Sequence, residues 1–172
     1  MQTDRLNIRQ ATIEDFNDYI EMRNSEYVLQ YNAMKKLTDE QAMKNLKEYS
    51  NSENAFLLHL RENNKVIGAV FFEEDALRYG VNSICLAYFL NEKYASNDYM
   101  TEALSCILEF LFEIKKVDVV SARVFAENEA SKALLQKLGF IKEGCIRKCV
   151  KGYRDIIFDD FIFSILKEEY LK

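Results

Sequence analysis

The distribution of apolar and polar positions along the chain predicts alternating strands and helices. Apolar runs at residues 55–61 and 66–73 flank the polar stretch 62–65, which is typical of a β-hairpin. Between residues 99 and 116, apolar side chains recur at the helical period, and this segment is the clearest predicted helix. Residues 118–125 alternate in polarity and are rich in β-branched side chains, which favours a strand.

Further elements complete the predicted fold. Two helix starts are marked by capping-box-like pairs, Thr12 with Asp15 and Thr38 with Gln41. The remaining predictions are strands near 6–9, 82–90, 140–150 and 155–166 and helices over 13–23, 38–49 and 129–138. A strand–helix–strand unit in the middle of the chain predicts one parallel strand pair, and the hairpins predict antiparallel neighbours. We therefore expect an α/β (α+β) fold in one domain over residues 1–172, with a mixed, twisted sheet of about seven strands and helices on both faces.

Composition and charge exclude several classes of function. The chain has 172 residues, of which 49% are apolar and 30% charged, as in a single globular domain. Its net charge of −5 lacks the basic excess that binding to nucleic-acid phosphates requires, and it permits cationic partners such as amines. The N-terminus has no apolar signal core and no apolar run approaches the length of a membrane span, so we expect a cytoplasmic protein that binds neither nucleic acid nor membrane.

The cysteine and histidine residues predict neither disulfides nor a metal site. Cys85, Cys106, Cys145 and Cys149 form no C-x-x-C pair, and the single histidine, His59, lies in an apolar strand. A zinc site needs a tighter set of thiolate and imidazole ligands, so no metal is expected. Reduced thiols agree with a cytoplasmic location. We expect His59 to be a buried structural residue, with a catalytic role as the alternative.

The junction between the strand 82–90 and the helix 99–116 is a candidate anion site. A polar loop that leads into a helix N-terminus presents free backbone N–H groups and the positive end of the helix dipole. Ser96, Asn97 and Asp98 are also good capping residues, so helix capping alone is the other interpretation of this loop.

A second polar cluster follows the strand 118–125. Asn128 is a natural N-cap for the next helix, and Ser131 lies in the first turn of that helix. The hydroxyl of Ser131 faces either the open edge of the sheet or the solvent, and the local pattern leaves both alternatives open.

An ordered set of motifs resembles the GNAT N-acetyltransferase family. Within that family the chain is most similar to the enzymes that acetylate ribosomal-protein N-termini and to polyamine and small-amine relatives. The motifs are Arg5-Leu6-x-Ile8-Arg9, Val28-x-x-Tyr31, Tyr88-Phe89-Leu90, Tyr99-Met100-Thr101-Glu102-Ala103-Leu104, Ala122-Arg123-Val124, Glu127-Asn128-Glu129-Ala130-Ser131, Lys137-Leu138-Gly139-Phe140, Glu143-Gly144 and Gly152-Tyr153-Arg154-Asp155. Together they cover nearly the whole chain in the order of the family. The resemblance implies direct transfer of an acetyl group from acetyl-CoA to an amine by a monomer or homodimer.

The resemblance also implies a role for each part of the site. The strand matching 82–90 offers backbone groups to the pantetheine arm and diverges from the strand matching 118–125, with the thioester in the gap. By the same resemblance, Ser131 protonates the departing thiolate or orients a water that does so, and the backbone N–H of Leu90 stabilises the oxyanion. The residues expected to bind the coenzyme are Phe89, Leu90, Ala95, Ser96, Asn97, Asp98, Tyr99, Met100, Thr101, Asn128 and Ser131.

The phosphate-binding loop departs from the family pattern. That pattern is glycine-rich, Q/R-x-x-G-x-G/A, because glycine lets the backbone approach phosphate closely. Here Asp98 replaces the central glycine and Met100 replaces the last small residue. A carboxylate that points inward repels phosphate, whereas one that turns back to cap the helix does so less. Lys93 is near enough in sequence to offset part of this charge.

The position of the general base also departs from the family pattern. Cys85 stands where many relatives carry a glutamate, and a thiol of ordinary pKa is a poor base for this step. Tyr88, Glu73 and Glu74 are the possible substitutes. Two hypotheses follow: an N-acetyltransferase acting on a protein N-terminus, a polyamine or another small amine, or a catalytically impaired GNAT-fold protein that binds acyl-CoA or acts as a regulator.

Overall fold

A computed structural model describes residues 1–170 of the chain. Seven strands form one sheet in the order β1-β2-β3-β4-β5-β7-β6. The strands are β1 (Leu6–Arg9), β2 (Ala55–Leu60), β3 (Val66–Glu74), β4 (Ser83–Leu90), β5 (Val119–Phe125), β6 (Ile141–Lys151) and β7 (Ile157–Leu166). The β4–β5 pair is parallel and all other neighbours are antiparallel, which confirms the predicted mixed sheet and its hairpins.

The helices include several short ones that the periodicity did not predict. The α-helices are α1 (Phe16–Arg23), α2 (Glu26–Leu29), α3 (Asp39–Tyr49), α4 (Tyr99–Glu109), α5 (Glu129–Lys137) and α6 (Lys167–Tyr170). The helix predicted over 13–23 begins with a 3₁₀ turn, and the one predicted over 99–116 ends as a π-helical turn, Phe110–Ile114. The sequence did not predict α2, because four residues are too few to show a helical period.

Helices cover both faces of the sheet. On one face, α4 and α5 contribute Ala103, Leu104 and Leu135 to a core that also contains Leu86 and Phe163 from the strands. On the other face, α1, α2 and α3 pack over the β1–β4 half of the sheet, and their buried side chains belong to a second core. Members of this second core are Tyr19, Met22, Val28, Ala42, Leu46, Ala69 and Phe89.

A gap opens between the two central strands. The parallel pairing of β4 with β5 runs only from Ser83–Val119 to Leu86–Ala122. Beyond Leu86, β4 stays paired with β3 as far as Leu90, while β5 stays paired with β7 as far as Phe125. The two strands therefore diverge in the middle of the sheet, as the family resemblance implied.

Candidate functional site

A cavity of about 600 Å³ lies at the gap. Its walls come from the end of α2, the end of β4, the loop before α4 and the first turns of α5. Since α2 packs on one face of the sheet and α4 and α5 pack on the other, the cavity passes through the sheet at the point where β4 and β5 diverge. Two ligands that enter from opposite faces can meet there.

The backbone of β4 presents hydrogen-bond donors to this gap. The N–H of Asn91 donates to the carbonyl of Ile67, and Leu90 lies opposite Gly68 in the regular β3–β4 register. In an antiparallel ladder this places Leu90 at a non-hydrogen-bonded position, so its N–H and carbonyl point away from β3 and toward the gap. Tyr88, two residues earlier, has the same orientation.

Phe89 has the opposite orientation. Its backbone groups belong to the ladder with Ala69 of β3, and its buried side chain lies in the core beneath α1 and α3. Phe89 therefore lines the cavity without offering free backbone donors or acceptors to it.

A pair of hydroxyl groups lies beside the gap. The Tyr88 hydroxyl and the Ser131 Oγ are 2.6 Å apart, and both residues line the cavity. Asn128, the N-cap of α5, fixes the start of this helix because its Oδ1 accepts a hydrogen bond from the N–H of Ser131 at 3.1 Å. Burial raises the pKa of Tyr88 to about 12, against the opposing effect of its bond to Ser131. A phenol with a raised pKa is protonated at neutral pH, so this environment favours Tyr88 as a proton donor over a proton acceptor.

The loop before α4 keeps a glycine-like backbone without glycine. Ser96 and Asp98 both have φ near 60°, in the left-handed region, and Asp98 is the N-cap residue of α4. The carboxylate of Asp98 turns outward: its Oδ1 lies 2.6 Å from Nζ of Lys137 and accepts a bond from the hydroxyl of Thr101. The acidic side chain is therefore two-thirds exposed and paired with a lysine, and both residues belong to the cavity wall.

The partner of Asp98 corrects one expectation. Lys93 does not offset the charge of Asp98, because its Nζ lies 2.8 Å from Glu21 of α1 on the other side of the turn. Lys137, at the end of α5, takes that role and lowers the pKa of Asp98 through their hydrogen bond. Sequence reasoning included Lys137 in a motif but assigned it no role, because its proximity to Asp98 arises only from the packing of α5 beside α4.

The rest of the predicted loop also lines the cavity, with one exception. Ala95, Ser96, Asp98, Tyr99, Met100 and Thr101 form part of the wall. Asn97 faces outward, and its carbonyl accepts a hydrogen bond from Arg5 at 3.0 Å. The guanidinium of Arg5 also lies 4.2 Å from the ring centroid of Tyr99, so the start of the chain holds this loop in place.

The remaining candidates for the general base lie away from the cavity. Glu73 and Glu74 are exposed at the end of β3, opposite Cys85 and Ile84, and neither contributes to the cavity wall. Burial raises the pKa of the Cys85 thiol, which makes it a weaker base still. The sequence-based candidates therefore leave the proton acceptor unassigned.

His59 is a structural residue, as expected. Its side chain is fully buried, and its ring nitrogens lie 3.0 Å from Oδ1 of Asp15 and 3.3 Å from the carbonyl oxygen of Leu57. These contacts connect β2 to the turn that begins α1, and none of the three residues lines the cavity.

Comparisons with known proteins agree with this geometry. Residues 5–141 match the family model described as the acetyltransferase (GNAT) domain. The uncharacterized N-acetyltransferase YnaD of Bacillus subtilis (strain 168) is 27% identical over 170 residues, which are 98% of this chain and 97% of that protein. Among the described residues, no helix is long and apolar enough to cross a membrane.

Solved structures share the fold. Ribosomal-protein-S5-alanine acetyltransferase from Vibrio fischeri superposes with a TM-score of 0.83 at 18% identity, over 99% of this chain and 97% of that one. Spermidine N-acetyltransferase from Vibrio cholerae, solved with CoA and spermine, superposes with a TM-score of 0.84 at 16% identity, over 99% and 100% of the two chains. At these identities the likeness concerns the fold, and the family follows from the model that matches residues 5–141: this chain belongs to the GNAT family of N-acetyltransferases.

Proposed function

We propose that this protein transfers the acetyl group of acetyl-CoA directly to a primary amine in a ternary complex. The observation that carries the proposal is the gap between β4 and β5, which has a free Leu90 N–H on its β4 side and the Tyr88–Ser131 hydroxyl pair beside it. Acyl transfer needs a donor for the carbonyl oxygen and a proton for the leaving thiolate. Tyr88, Leu90 and Ser131 line one cavity, which supports the proposal.

Each residue then has a defined part in the reaction. The Leu90 N–H donates to the thioester oxygen as negative charge develops on it. The amine nitrogen forms a bond to the carbonyl carbon, the carbon–sulfur bond breaks, and the thiolate takes a proton from the hydroxyl of Ser131. Tyr88 remains protonated and its hydroxyl stabilises the Ser131 oxygen during that transfer.

The diphosphate of the coenzyme is proposed to bind at the start of α4. Free backbone N–H groups and the helix dipole favour an anion there, and the left-handed φ of Ser96 and Asp98 keeps the loop in a shape that glycine usually adopts. The outward carboxylate of Asp98 is paired with Lys137, which limits its repulsion of phosphate.

The acceptor is proposed to be a protein N-terminus, a polyamine or another small amine, entering from the α2 side of the cavity. Similar structures include both an S5-alanine acetyltransferase and a spermidine acetyltransferase, which supports this range of acceptors. The four unpaired thiols support a cytoplasmic location.

Calorimetric titration with acetyl-CoA, followed by turnover assays, tests the proposal. We expect saturable binding of acetyl-CoA, and release of free CoA in the presence of an alanine-initiated peptide, spermidine or a simple alkylamine. Absence of binding at millimolar acetyl-CoA, or binding without turnover of any amine in the panel, contradicts the proposed activity.

A substitution at Asp98 separates this proposal from that of an impaired acyl-CoA binder. Since an exposed ion pair contributes little, Asp98→Gly is expected to change the Kd for acetyl-CoA by less than about tenfold. The control Asp98→Asn removes the charge and keeps a side chain at the left-handed position. A gain of about a hundredfold in affinity for the glycine variant would instead support a loop that has lost its binding function.

A further inference from the structure

Asp160 is a buried carboxylate that has no part in the proposed reaction. Asp160 in β7 is only 2% exposed. Its Oδ2 accepts a hydrogen bond from Nε of Arg123 at 2.8 Å and lies 2.6 Å from Nη2 of the same guanidinium. Its other oxygen, Oδ1, is buried and has no hydrogen-bond partner within residues 1–170. A buried carboxylate oxygen without a partner is costly, so its presence calls for a physical explanation.

The position of Asp160 relates this oxygen to the gap. Asp160 in β7 pairs with Phe125 of β5. Phe125 lies beyond the end of the β4–β5 pairing, where β5 no longer contacts β4 through backbone hydrogen bonds. Phe163, also in β7, faces the core of α4 and α5, so Asp160, an odd number of residues away, faces the other side of the sheet. That is the side on which α2 packs and from which the acceptor is proposed to enter.

An aromatic series reaches the cavity wall on the face of the sheet where Asp160 lies. Tyr31, which lines the cavity just after α2, packs edge-on against Phe158 with ring centroids 6.3 Å apart. Phe158 stacks on Phe125 with centroids 4.7 Å apart. Phe125 pairs with Asp160, and Phe158 precedes Asp160 by two residues in β7, so all three side chains lie on the same face of the sheet. This is the face from which the acceptor is proposed to enter.

The surroundings of Asp160 suit a group that binds and releases a proton. Burial raises the pKa of its carboxyl group, and the charge of Arg123 acts in the opposite direction. From β6, Sγ of Cys149 lies 2.8 Å from Nη2 of Arg123, and from β4 the Cys85 thiol also faces this guanidinium. The neighbouring Asp159 is directed elsewhere, because its Oδ1 accepts the N–H of Lys148.

We infer that Asp160 is the acceptor of the proton that the substrate ammonium group loses before it attacks the thioester. This inference rests on the proposed function. It is carried by the buried, unpartnered Oδ1 on the face of the sheet from which the acceptor is proposed to enter, next to the part of β5 that no longer pairs with β4.

The step balances as follows. One N–H bond of the ammonium group breaks, the electron pair stays on nitrogen, and the proton passes to Oδ1 of Asp160. Asp160 lies one strand from the gap and does not line the cavity, so the proposed transfer runs through a water that bridges the cavity and Oδ1. The neutral amine then attacks, its second proton replaces the one that Ser131 gives to the thiolate, and Asp160 returns its proton to solvent after the acetylated amine leaves.

The pH dependence of kcat for Asp160→Asn tests the inference. The probes are acetyl-CoA with an alanine-initiated peptide, whose α-amine has a pKa near 7.7–8.0, and with spermidine, whose amines resemble a lysine at about 10.4. Near neutral pH we expect kcat to fall by about a hundredfold. The loss should diminish as the pH approaches the pKa of the amine itself, and it should be larger for spermidine at neutral pH.

A purely structural role predicts a different result. In that case Asp160→Asn would lower kcat by the same factor at every pH and for both acceptors, which would overturn the inference. Asp160→Glu, which keeps a carboxylate, is the matched control and is expected to retain the wild-type shape of the pH profile. Wild-type protein that acetylates neither acceptor would contradict the proposed function itself, whereas an active wild type with a pH-independent defect contradicts only the assignment of Asp160.

A second variant keeps the inference testable where Asp160→Asn does not fold, as judged by circular dichroism. Arg123→Gln removes the cation that opposes the raised pKa of Asp160, so the acidic limb of the kcat profile should move to higher pH. Arg123→Lys keeps the charge and should move the limb less. A limb that does not move in Arg123→Gln would contradict the inference.

Discussion

The hydroxyl pair beside the gap allows a quantitative test of the site. Tyr88→Phe removes one hydroxyl of a pair separated by 2.6 Å and keeps the ring that packs against the core. In the resting protein the lost bond is worth about 0.5–1.5 kcal/mol of stability. A bond to an oxygen that becomes partly charged during proton transfer is worth about 1.5–3 kcal/mol. Only the difference between the two states, about 1–1.5 kcal/mol, changes kcat, and each 1.36 kcal/mol is tenfold in rate, so we expect kcat to fall by about 5- to 13-fold.

A double-mutant cycle with Ser131→Ala shows whether the two hydroxyls act together. We expect the double variant to lose about as much kcat as Ser131→Ala alone, because Tyr88 acts only through the serine oxygen. The assay is release of free thiol at saturating acetyl-CoA, with calorimetric Kd values as a check on binding. Tyr94→Phe, at a tyrosine outside the cavity wall, is the matched control. Losses that multiply, or an unchanged kcat for Tyr88→Phe, would refute the proposed coupling.

Two predictions concern the framework of the site. In Gly68→Ala the new Cβ would lie 2.9 Å from Cδ1 of Leu58 and 3.0 Å from the carbonyl oxygen of Phe89. The free energy of unfolding measured in urea should therefore fall by about 1–3 kcal/mol, and acetyl-CoA should bind more weakly because Gly68 pairs with the end of β4. An unchanged midpoint of urea unfolding would contradict this prediction. Burial favours a raised pKa for Asp15, but hydrogen bonds from His59 and nearby donors outweigh it and hold the pKa well below its usual value. The stability contributed by Asp15 is therefore present above about pH 4 and is lost as the pH falls further. Asp15→Asn should lower the free energy of unfolding by about 3–5 kcal/mol at neutral pH and make stability depend less on pH in the acid range. An acid-unfolding curve that matches the wild type would argue against this role.

Much of the fold was predictable because it depends on local patterns. The period of apolar residues in α4 and the alternation in β5 result from burial of one face of each element. The capping pair of Thr38 and Gln41 forms as expected, with each side chain bonded to the backbone of the other. The short α2, by contrast, was missed, although its residues Tyr27 and Val28 form part of the cavity wall.

The candidate site was only partly predictable. Ser131, Asn128 and the loop before α4 were recognised from motif order, and the structure brings them to one cavity. The pairing of Asp98 with Lys137 was not predicted, because these residues are far apart in sequence and meet only where α5 packs beside α4. Asp160 gave no signal, since an acidic residue in a strand looks solvent-exposed until its neighbours are known.

The amino-acid sequence by itself determined the order of strands and helices, the parallel central pair and the membership of the family, because these depend on periodicity and motif spacing along the chain. The tertiary structure decided the rest. Only the register of β3 with β4 shows that the Leu90 N–H points into the gap, and only the β5–β7 pairing buries Asp160 beside Arg123. Hydrogen-bond direction and burial depend on which strands become neighbours, and that information is not contained in any local stretch of sequence.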